Sequence, residues 1–348
     1  MAHPELINTS PYACELMFVT DEEAMPVCVP IVQATFDLRA EGGLALRPKQ
    51  PAVDLAGSWW GEPGRSSIKT EPQIAFMKPA TDIVLRGHAY PANAERTQGH
   101  VGIRVGACQK VARVFGPRRM TRRLGGFSIS EPAPFERIAL IHEHAFGGWD
   151  RRDPDKARHS FEARNPIGMG YVDLDQDGPV DVAMPYLEDP EQLYQHPSER
   201  PAPVGFGFCA PDWAPRVAWA GTYDKAWSDT RKPRWPQDFD RRFFNAASPG
   251  LISQGHLQGN EAVTAVGVTP SGARISFELP GLPAPVCRVF VKGAAPVELQ
   301  TVLDTLVLDT DQACVTLSWR ACLPVRRGPH DVEAMELPPR PPQLFDED

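Results

Sequence analysis

Proline is the residue that most constrains how this chain can fold. The sequence has 348 residues and 37 of them are prolines, roughly twice the usual share. Because proline lacks an amide hydrogen and fixes one backbone torsion, it is excluded from helix interiors and from central strands. Helical bundles and coiled coils are therefore excluded. Hydrophobic residues still make up 42% of the chain, enough for a sizeable core, which argues against a disordered polymer.

Strand-like patterns lie towards the two ends of the chain. They occur at residues 13–19, 28–38, 81–90, 101–107, 109–115 and 135–146, and again at 262–268, 274–279, 286–291, 297–308 and 312–319. The middle is rich in Trp, Pro, Asp, Arg and Gly, and short helices are expected there only at 224–230 and 238–245. We predict a mostly-β protein, with two antiparallel β lobes, sandwich- or barrel-like, around a loop-rich centre with a few short helices.

These patterns divide the chain into four regions. We expect an N-terminal β lobe at 1–146, a loop region packed on the sheets at 147–251 and a C-terminal β lobe at 252–323. The prolines and acidic residues of 324–348 predict a mobile tail.

Charge and cysteine content limit the partners and the compartment. The net charge of −8 argues against nucleic acid, which is bound mainly by basic surfaces. The seven cysteines are scattered without a CxxC pair, which predicts reduced and mostly buried thiols in a cytoplasmic protein. The N-terminus lacks the pattern of a signal peptide, and no apolar run approaches the roughly 20 residues of a membrane span.

Two histidines form the first candidate metal site. On a strand, His142 and His144 share one face, and two imidazoles at that spacing can begin a zinc or iron site. Asp150 or His159 is the candidate third ligand. The simpler interpretation is a pair of ordinary strand histidines, and we predict no metal ligand in this chain.

A second candidate metal site lies in the acidic segment DLDQDGPVD at residues 173–181. Its alternating carboxylates and glycine resemble the first half of an EF-hand calcium loop. The twelfth position should be a bidentate glutamate but is Met184, so Glu188 or Asp189 would have to substitute. The alternative for this segment is an Asp- and Gly-rich surface turn. For the protein as a whole we predict no cofactor.

Four acidic residues among tryptophan-rich loops raise the possibility of glycoside hydrolysis. They are Glu62, Glu136, Asp150 and Asp153. Two of them would have to lie at the carboxyl separation that such a reaction needs. Each also has an arginine close by in sequence, and arginine–carboxylate pairs that pin loops are the simpler interpretation. A β-rich carbohydrate-active hydrolase is therefore the alternative function.

Aromatic and charged residues of the loops are the candidate partner-binding residues. Tryptophan, tyrosine and arginine are the usual anchors of protein interfaces, although the same residues also pack loops onto sheets. The candidates are Trp59, Trp60, Glu62, Arg65, Trp149, Asp150, Arg164, Asn165, Tyr223 and Trp227.

An ordered set of segments resembles a bacterial domain-of-unknown-function family whose genes lie beside type VI secretion spike and effector genes. The segments are ATFDL at 34–38, WGEPGRSS at 60–67, KPATDIVLRGHAY at 78–90, AFGGWDRRD at 145–153, RNPIGMGY at 164–171, LEDP at 187–190, RPAPVGFG at 200–207, AGTYDKAW at 220–227, DFDRRFFNAA at 238–247 and LDTLVLDTDQACVTLSWR at 303–320. The resemblance covers about residues 5 to 322.

The resemblance implies a non-enzymatic adaptor or chaperone. Such a protein would stabilise a cognate type VI effector in the cytoplasm and help to load it onto the spike, often through a PAAR-like domain of the effector; the spike protein itself is a further candidate partner. No catalytic residue is implied. Neither the effector, the binding surface nor the stoichiometry follows from the sequence.

Overall fold

The computed structural model describes residues 4–39, 42–123 and 126–339. Strands account for 39% of the protein and helices for 7%, and none of the sheets formed by these residues closes into a barrel. The prediction of a mostly-β fold with a few short helices is confirmed. Within the described ranges, no helix has the length and apolar character needed to cross a membrane.

The described strands have two to eight residues, except the strand at Pro26–Leu38, which has 13. In chain order they are β1 (Glu5–Asn8), β2 (Ala13–Thr20), β3 (Pro26–Leu38), β4 (Leu44–Leu46), β5 (Ser58–Trp59), β6 (Ile68–Thr70), β7 (Asp82–Arg86), β8 (His88–Ala89), β9 (Gln98–Val105), β10 (Cys108–Phe115), β11 (Arg119–Arg123), β12 (Gly126–Ile129), β13 (Ile138–Ala139), β14 (Phe146–Gly147), β15 (Trp149–Asp150), β16 (Ser160–Phe161), β17 (Met169–Gly170), β18 (Asp181–Ala183), β19 (Leu187–Glu188), β20 (Ala262–Val266), β21 (Ile275–Glu278), β22 (Val286–Val291), β23 (Val297–Gln300), β24 (Val302–Asp309), β25 (Cys314–Arg320), β26 (Leu323–Pro324) and β27 (Val332–Leu337).

Helical segments are few and lie mainly in the loop-rich centre. The α-helices are α1 (Arg216–Trp219) and α2 (Lys225–Thr230), and 3₁₀ turns occur at His142–His144, Lys156–Arg158, Arg241–Phe244 and Gly328–Asp331. The predicted helix at 224–230 is confirmed: α2 begins after Asp224, whose carboxylate accepts a hydrogen bond from the amide of Trp227. The predicted helix at 238–245 is a single 3₁₀ turn.

The largest sheet combines strands from both ends of the chain. Its order is β2-β3-β25-β24-β7, with β4 and β26 also paired to β3. The β7–β24 pair is parallel, whereas β3 pairs antiparallel with β2 and β25. The strand-rich regions at 1–146 and 252–323 therefore share this sheet rather than forming separate ones.

Two further sheets also join distant parts of the chain. One has the order β19-β10-β9-β20-β21 and the other β1-β27-β22-β23, and five smaller sheets of two or three strands complete the set. One continuous apolar core is common to the three larger sheets, with Phe36, Leu85, Ile103, Leu306 and Met335 among its buried members. The sheets therefore pack on a single core.

The end of the described chain corrects the expectation of a mobile tail from residue 324. Strand β27 pairs antiparallel with β22 and parallel with β1. Val332, Met335 and Leu337 of this strand are buried. Residues 340–348, the acidic end of that predicted tail, lie outside the described residues.

Three predicted strands are interrupted. The expected strand at 81–90 is divided between β7 and β8, which belong to different sheets. The expected strand at 135–146 consists of β13, the 3₁₀ turn at His142–His144 and β14. Its apolar residues do reach the core, but the chain turns between them, with the amide of Ala145 donating to the carbonyl of His142. The expected strand at 297–308 is divided between β23 and β24.

A buried ion network fastens the central loops to the largest sheet. The ammonium of Lys78 donates to Glu71 Oε2 at 2.8 Å, Asp82 Oδ2 at 2.8 Å and Thr305 Oγ1 at 3.1 Å. Arg216 of α1 donates to the other carboxylate oxygen of Glu71 at 2.9 Å. All five residues are buried, so each charge depends on its partners for solvation.

The carboxylate of Asp82 also collects hydrogen bonds from the loop region. The Asn245 side-chain amide donates to Asp82 Oδ1 at 3.0 Å. The backbone amides of Ala246 and Ala247 donate to the same carboxylate at 3.0 and 3.1 Å. Asp82 of β7 therefore holds a segment that lies more than 160 positions further along the chain.

A neighbouring ion pair extends the network across the sheet. Arg320 donates to Asp304 Oδ2 at 2.5 Å, and both side chains are buried. Burial opposes ionisation of Asp304, but the charges of Arg320 and Lys78 hold the pKa of this carboxyl below its ordinary value.

Replacing Lys78 with methionine is expected to lower the free energy of unfolding by about 3–5 kcal/mol, because Glu71 and Asp82 would keep buried charges without their shared cation. Urea unfolding measures this change. The matched control is Lys225→Met, since Lys225 forms an exposed pair with Asp229 and its loss should cost about 0–1 kcal/mol. Equal effects of the two substitutions would contradict the structural role of the network.

Candidate functional site

A 3₁₀ turn at His142–His144 is the junction of two loop segments that contain predicted partner-binding residues. From one side, the amide of Ser67 donates to Glu143 Oε1 at 2.9 Å and the Ser67 hydroxyl bonds to Glu143 Oε2. The amide of His142 in turn donates to the Ser67 hydroxyl oxygen at 2.8 Å. Ser67 directly precedes β6 in the loop that joins β5 to β6. Its hydrogen bonds therefore fix this hairpin to the turn.

Asn165 fastens the second segment to the same turn. Its side-chain amide donates to the carbonyls of His142 at 2.8 Å and Phe146 at 3.0 Å. Gly147 passes so close that an added Cβ would lie 2.2 Å from the carbonyl oxygen of Asn165. The backbone of this segment therefore requires glycine at position 147 and an amide side chain at 165.

Trp60 projects from the hairpin tip into solvent. Its amide donates to the carbonyl of Ser67 at 3.0 Å, and 48% of its surface is exposed. The ammonium of Lys69 lies 5.0 Å from the centre of its ring. The preceding Trp59 instead packs against the buried cluster that contains Phe208. The two adjacent tryptophans therefore have different roles, one as an anchor and one as a surface residue.

A cavity of about 180 Å³ opens beside Trp60. Its apolar wall includes Leu85 and Leu140. His88 and Asp311 also line it, and His88 Nδ1 lies 2.8 Å from Asp311 Oδ2. We call this the Trp60 pocket: an apolar cavity with an exposed indole and a polar pair in its lining.

A second exposed aromatic group lies on the segment that Asn165 holds. Trp149 and Phe161 are directly opposite each other in the β15–β16 pair. Their rings stack with centres 4.4 Å apart and planes at 26°, and the Arg151 guanidinium lies 4.7 Å from the Trp149 ring centre. Trp149 is 45% exposed, so the stack is held in place by its neighbours and is still partly accessible to solvent.

Asp150 lies beside this stack but is buried. Arg152 contacts its carboxylate with Nε at 3.0 and 3.1 Å and Nη2 at 2.7 Å. The amide of Asp173 donates to Asp150 Oδ2 at 2.8 Å. The predicted residues Asp150 and Asn165 are thus internal to the loop, so we exclude both from the partner-contacting surface.

Arg164 is also engaged within the loop region. It pairs with Glu162 through Nε at 2.7 Å and Nη2 at 2.8 Å. Burial opposes ionisation of Glu162, but the Arg164 guanidinium holds the pKa of this carboxyl below its ordinary value. Arg164 Nη2 reaches the carbonyl of Pro201 at 3.1 Å as well, which ties the segment to the next loop.

Glu62 and Arg65 lie at the tip of the hairpin. Arg65 Nη1 is 3.4 Å from Glu62 Oε2 and both side chains are largely exposed. Such a pair contributes little to stability but places both signs of charge near Trp60.

Tyr223 and Trp227 form a separate aromatic group on α2 and its preceding loop. Their rings meet edge to face with centres 4.7 Å apart, and Trp227 Nε1 donates to the carbonyl of Arg234 at 2.8 Å. Tyr223 is 55% exposed. Across the described ranges, no hydrogen bond, ion pair or ring contact joins this pair directly to Trp60 or Trp149. The structure therefore links two of the three predicted groups.

The structure pairs three of the proposed hydrolytic carboxylates with arginines. Arg65 faces Glu62, Arg152 faces Asp150, and Arg158 Nη1 lies 2.6 Å from Asp153 Oδ2. Glu136 is exposed. The Trp60 pocket is lined by none of these four acids. Arginine–carboxylate pairing is confirmed for Glu62, Asp150 and Asp153, and the hydrolase function stays a prediction.

The histidines do not occupy one face of a strand, so the premise of the first metal site is wrong. His142 is buried with its ring edge-to-face on Trp213 at 5.1 Å, and His144 Nδ1 lies 2.8 Å from the carbonyl of Ala139. Burial and the charge of Lys110 lower the pKa of His142 to about 4. Among the described residues no group of three or more His, Cys, Asp or Glu is arranged to hold a metal.

The carboxylates of the EF-hand-like segment turn towards different partners. Asp173 accepts from the Ser160 hydroxyl at 2.7 Å, and Asp181 pairs with Arg119 at 2.7 Å. In the ranges that the structure covers, they do not converge on one point as calcium ligands must. The alternative interpretation, an acidic surface turn, fits this arrangement.

All seven cysteines are free thiols, and Cys28, Cys209, Cys287 and Cys314 are buried. Burial raises the pKa of Cys28 and Cys287 to about 12. These two thiols are therefore protonated and unreactive at neutral pH.

Sequence reasoning missed several residues of the site. His88 and Asp311 are 223 positions apart, and no local pattern relates them. Phe161 was not singled out because the pairing of β15 with β16 is invisible in so short a segment. Arg151, which follows Asp150 in sequence, packs on Trp149, a contact that no local pattern predicts.

The fold and site define a mostly-β protein with exposed aromatic side chains on well-anchored loops. The chain belongs to the DUF2169 family, described as an uncharacterized protein conserved in bacteria, which matches residues 23–320. No curated protein and no solved structure matches the chain. Membership of a bacterial family of unknown function is thus confirmed, and the association with type VI secretion stays a prediction.

Asp150→Asn is expected to lower the free energy of unfolding by about 2–4 kcal/mol, because the buried Arg152 pair would lose its negative partner. Glu62→Gln is the matched control and should change stability by less than about 1 kcal/mol, since its pair is exposed. Thermal and urea unfolding measure both. A neutral Asp150→Asn variant would remove the structural explanation and favour another role for this acid.

The low pKa of His142 predicts a pH dependence of stability. In the unfolded chain His142 binds a proton near pH 6.5, but in the folded chain it does so only near pH 4. The stability that the neutral His142 ring contributes above pH 6.5 is therefore lost as the pH falls. Between pH 7 and 5 the wild type should lose roughly 2 kcal/mol more than His142→Gln. Urea unfolding at both values measures this. Replacing the exposed His100 with glutamine is the control, and this variant should lose as much stability between pH 7 and 5 as the wild type. An equal loss of stability in the wild type and in His142→Gln would refute the assignment.

Proposed function

We propose that this protein is a non-enzymatic adaptor that binds another protein at the Trp60 pocket. One observation carries the proposal: an exposed indole stands at an apolar cavity, on a hairpin that is fixed by Ser67 and Glu143. Tryptophan beside a cavity that accepts a partner's side chain is the common form of an interface hot spot.

The anchoring of the surface supports this role. Loops that are ordered before binding lose less conformational entropy when the partner docks. The hydrogen bonds of Ser67 and Asn165 to the turn at His142–His144 order both segments in advance. The Trp149–Phe161 stack, joined to the same turn through Asn165, is the second proposed contact.

The charges near the pocket suit reversible binding. Lys69 lies over Trp60, His88 and Asp311 pair at the cavity, and Glu62 and Arg65 lie at the hairpin tip. Exposed charges of both signs affect association rate and orientation more than affinity. An adaptor has to release its cargo, so a small apolar centre with a charged surround fits better than a large apolar seam.

The sequence resemblance supplies the candidate partner. We propose a cognate type VI secretion effector, bound in the cytoplasm through a PAAR-like domain and then passed to the spike. The net charge of −8 disfavours nucleic acid as the partner.

Trp60→Ala is expected to weaken binding of the effector encoded beside this gene by about thirtyfold or more, the loss typical of a hot-spot tryptophan. Isothermal titration with the purified effector, or with its PAAR-like domain, measures the affinity. Trp149→Ala should weaken binding as well if the second contact is used.

Tyr223→Ala is the matched control, because Tyr223 is an equally exposed aromatic residue in the group that is not joined to the pocket. Its affinity should remain within about twofold of wild type. Wild-type affinity for Trp60→Ala, with an unchanged unfolding curve, would exclude the Trp60 pocket; absence of any binding by the wild type would exclude this effector as partner.

A further inference from the structure

A second cavity of about 180 Å³ is also lined by His142. Its wall contains three prolines, Pro203, Pro215 and Pro249, together with Val204. The polar residues that line it are Lys110, His142, Arg164, Asp189, Cys209 and Ser248. Trp60, Trp149 and Phe161, the proposed contacts of the adaptor, do not line this cavity.

Lys110 is the residue of this cavity with an unusual environment. It is half-buried on β10, and its Nζ donates to the carbonyl of Pro249 at 2.7 Å. The ring centre of Phe206 lies 5.8 Å from Nζ. No carboxylate of the described residues lies within ion-pair distance of Nζ, so one backbone carbonyl and an aromatic ring are its defined contacts.

This environment makes a larger fraction of Lys110 neutral than is usual for a lysine. Burial lowers the pKa of Lys110 to about 8, although Cys209 and Asp189 oppose the shift. The remaining charges around the cavity do not reverse it, because Arg164 is positive and paired with Glu162 and the buried His142 is neutral at pH 7. A neutral amine is a nucleophile, whereas an ammonium is not.

We propose that Lys110 is a reactive amine and that this cavity accepts a small aldehyde, which Lys110 binds as an imine. The amine lone pair attacks the carbonyl carbon and the C–N bond forms. Both amine protons are transferred from nitrogen to the former carbonyl oxygen, which leaves as water, and the C=N bond remains. The reaction needs no oxidant or reductant, and water reverses it.

The shape and chemistry of the cavity fit such a ligand. Cavities of roughly 150 Å³ accommodate a benzene-sized molecule, so about 180 Å³ suffices for an aromatic aldehyde. The proline-rich wall offers apolar contact to the ring. Burial raises the pKa of the nearby Cys209 thiol, so at neutral pH this thiol is protonated and competes poorly for the carbonyl carbon.

Reductive trapping tests the proposal on the full-length protein. Benzaldehyde is added at pH 7.5 with cyanoborohydride, which converts an imine into a stable secondary amine, and peptide mass spectrometry locates the products. At this pH about a quarter of amines with a pKa near 8 are neutral, against roughly one in a thousand for an ordinary lysine. Allowing for lower intrinsic nucleophilicity and restricted access, Lys110 should react at least tenfold faster than the exposed Lys156.

The pH profile and two controls complete the test. The trapping rate at Lys110 should reach half its maximum near pH 8. Lys110→Arg keeps the positive charge and a hydrogen-bond donor but should remove this product and leave the others unchanged. In 8 M urea the preference for Lys110 should disappear, since the fold creates it.

Trapping at Lys110 no faster than at Lys156 would overturn the proposal, as would a preference that persists in urea. The result is independent of the adaptor function, because effector binding is measured separately with Trp60→Ala. Either proposal can therefore fail while the other stands.

Discussion

The charge of Lys78, removed from water, is the constraint on which the rest of the structure depends. Its ammonium is compensated only because Glu71 and Asp82 are brought to it from the chain on either side. A buried cation without partners would cost several kcal/mol. The loops therefore have to return to the same point of the sheet, and Arg216 and Asn245 are fixed there as a consequence.

The same principle, applied nearer the surface, explains the proposed binding surface. The loop-rich centre is ordered by side chains that satisfy backbone groups and by arginines that neutralise carboxylates. Asn165 holds the turn at His142–His144, and Arg152 neutralises Asp150. Because polar side chains form these internal hydrogen bonds and ion pairs, Trp60 and Trp149 are left exposed at defined positions. A surface of fixed aromatic side chains suits recognition of a folded partner.

Some of the fold could be predicted from local patterns. The β-branched run at 28–38 is a strand that is buried on both faces, and the paired runs at 101–115 form β9 and β10. Asp224 marks the start of α2. The segment 135–146 has the same alternation but turns at His142–His144, where the amide of Ala145 donates to the carbonyl of His142. Strand β27 was missed because flanking prolines suggested a tail, whereas its pairing with β1 and β22 supplies its backbone hydrogen bonds.

The sequence by itself determined the fold class, the short strands and the residue types available for a binding surface, since proline content and apolar periodicity act locally. It also carried the family membership, through an ordered set of segments. Only the tertiary structure decided which of those residues face solvent: Trp60 is exposed while Trp59 is an anchor, and Asp150 is internal. It also brought His88 to Asp311 and placed Lys110 at a cavity. Burial and pairing between distant residues depend on how the sheets close on one core, and no local pattern records that.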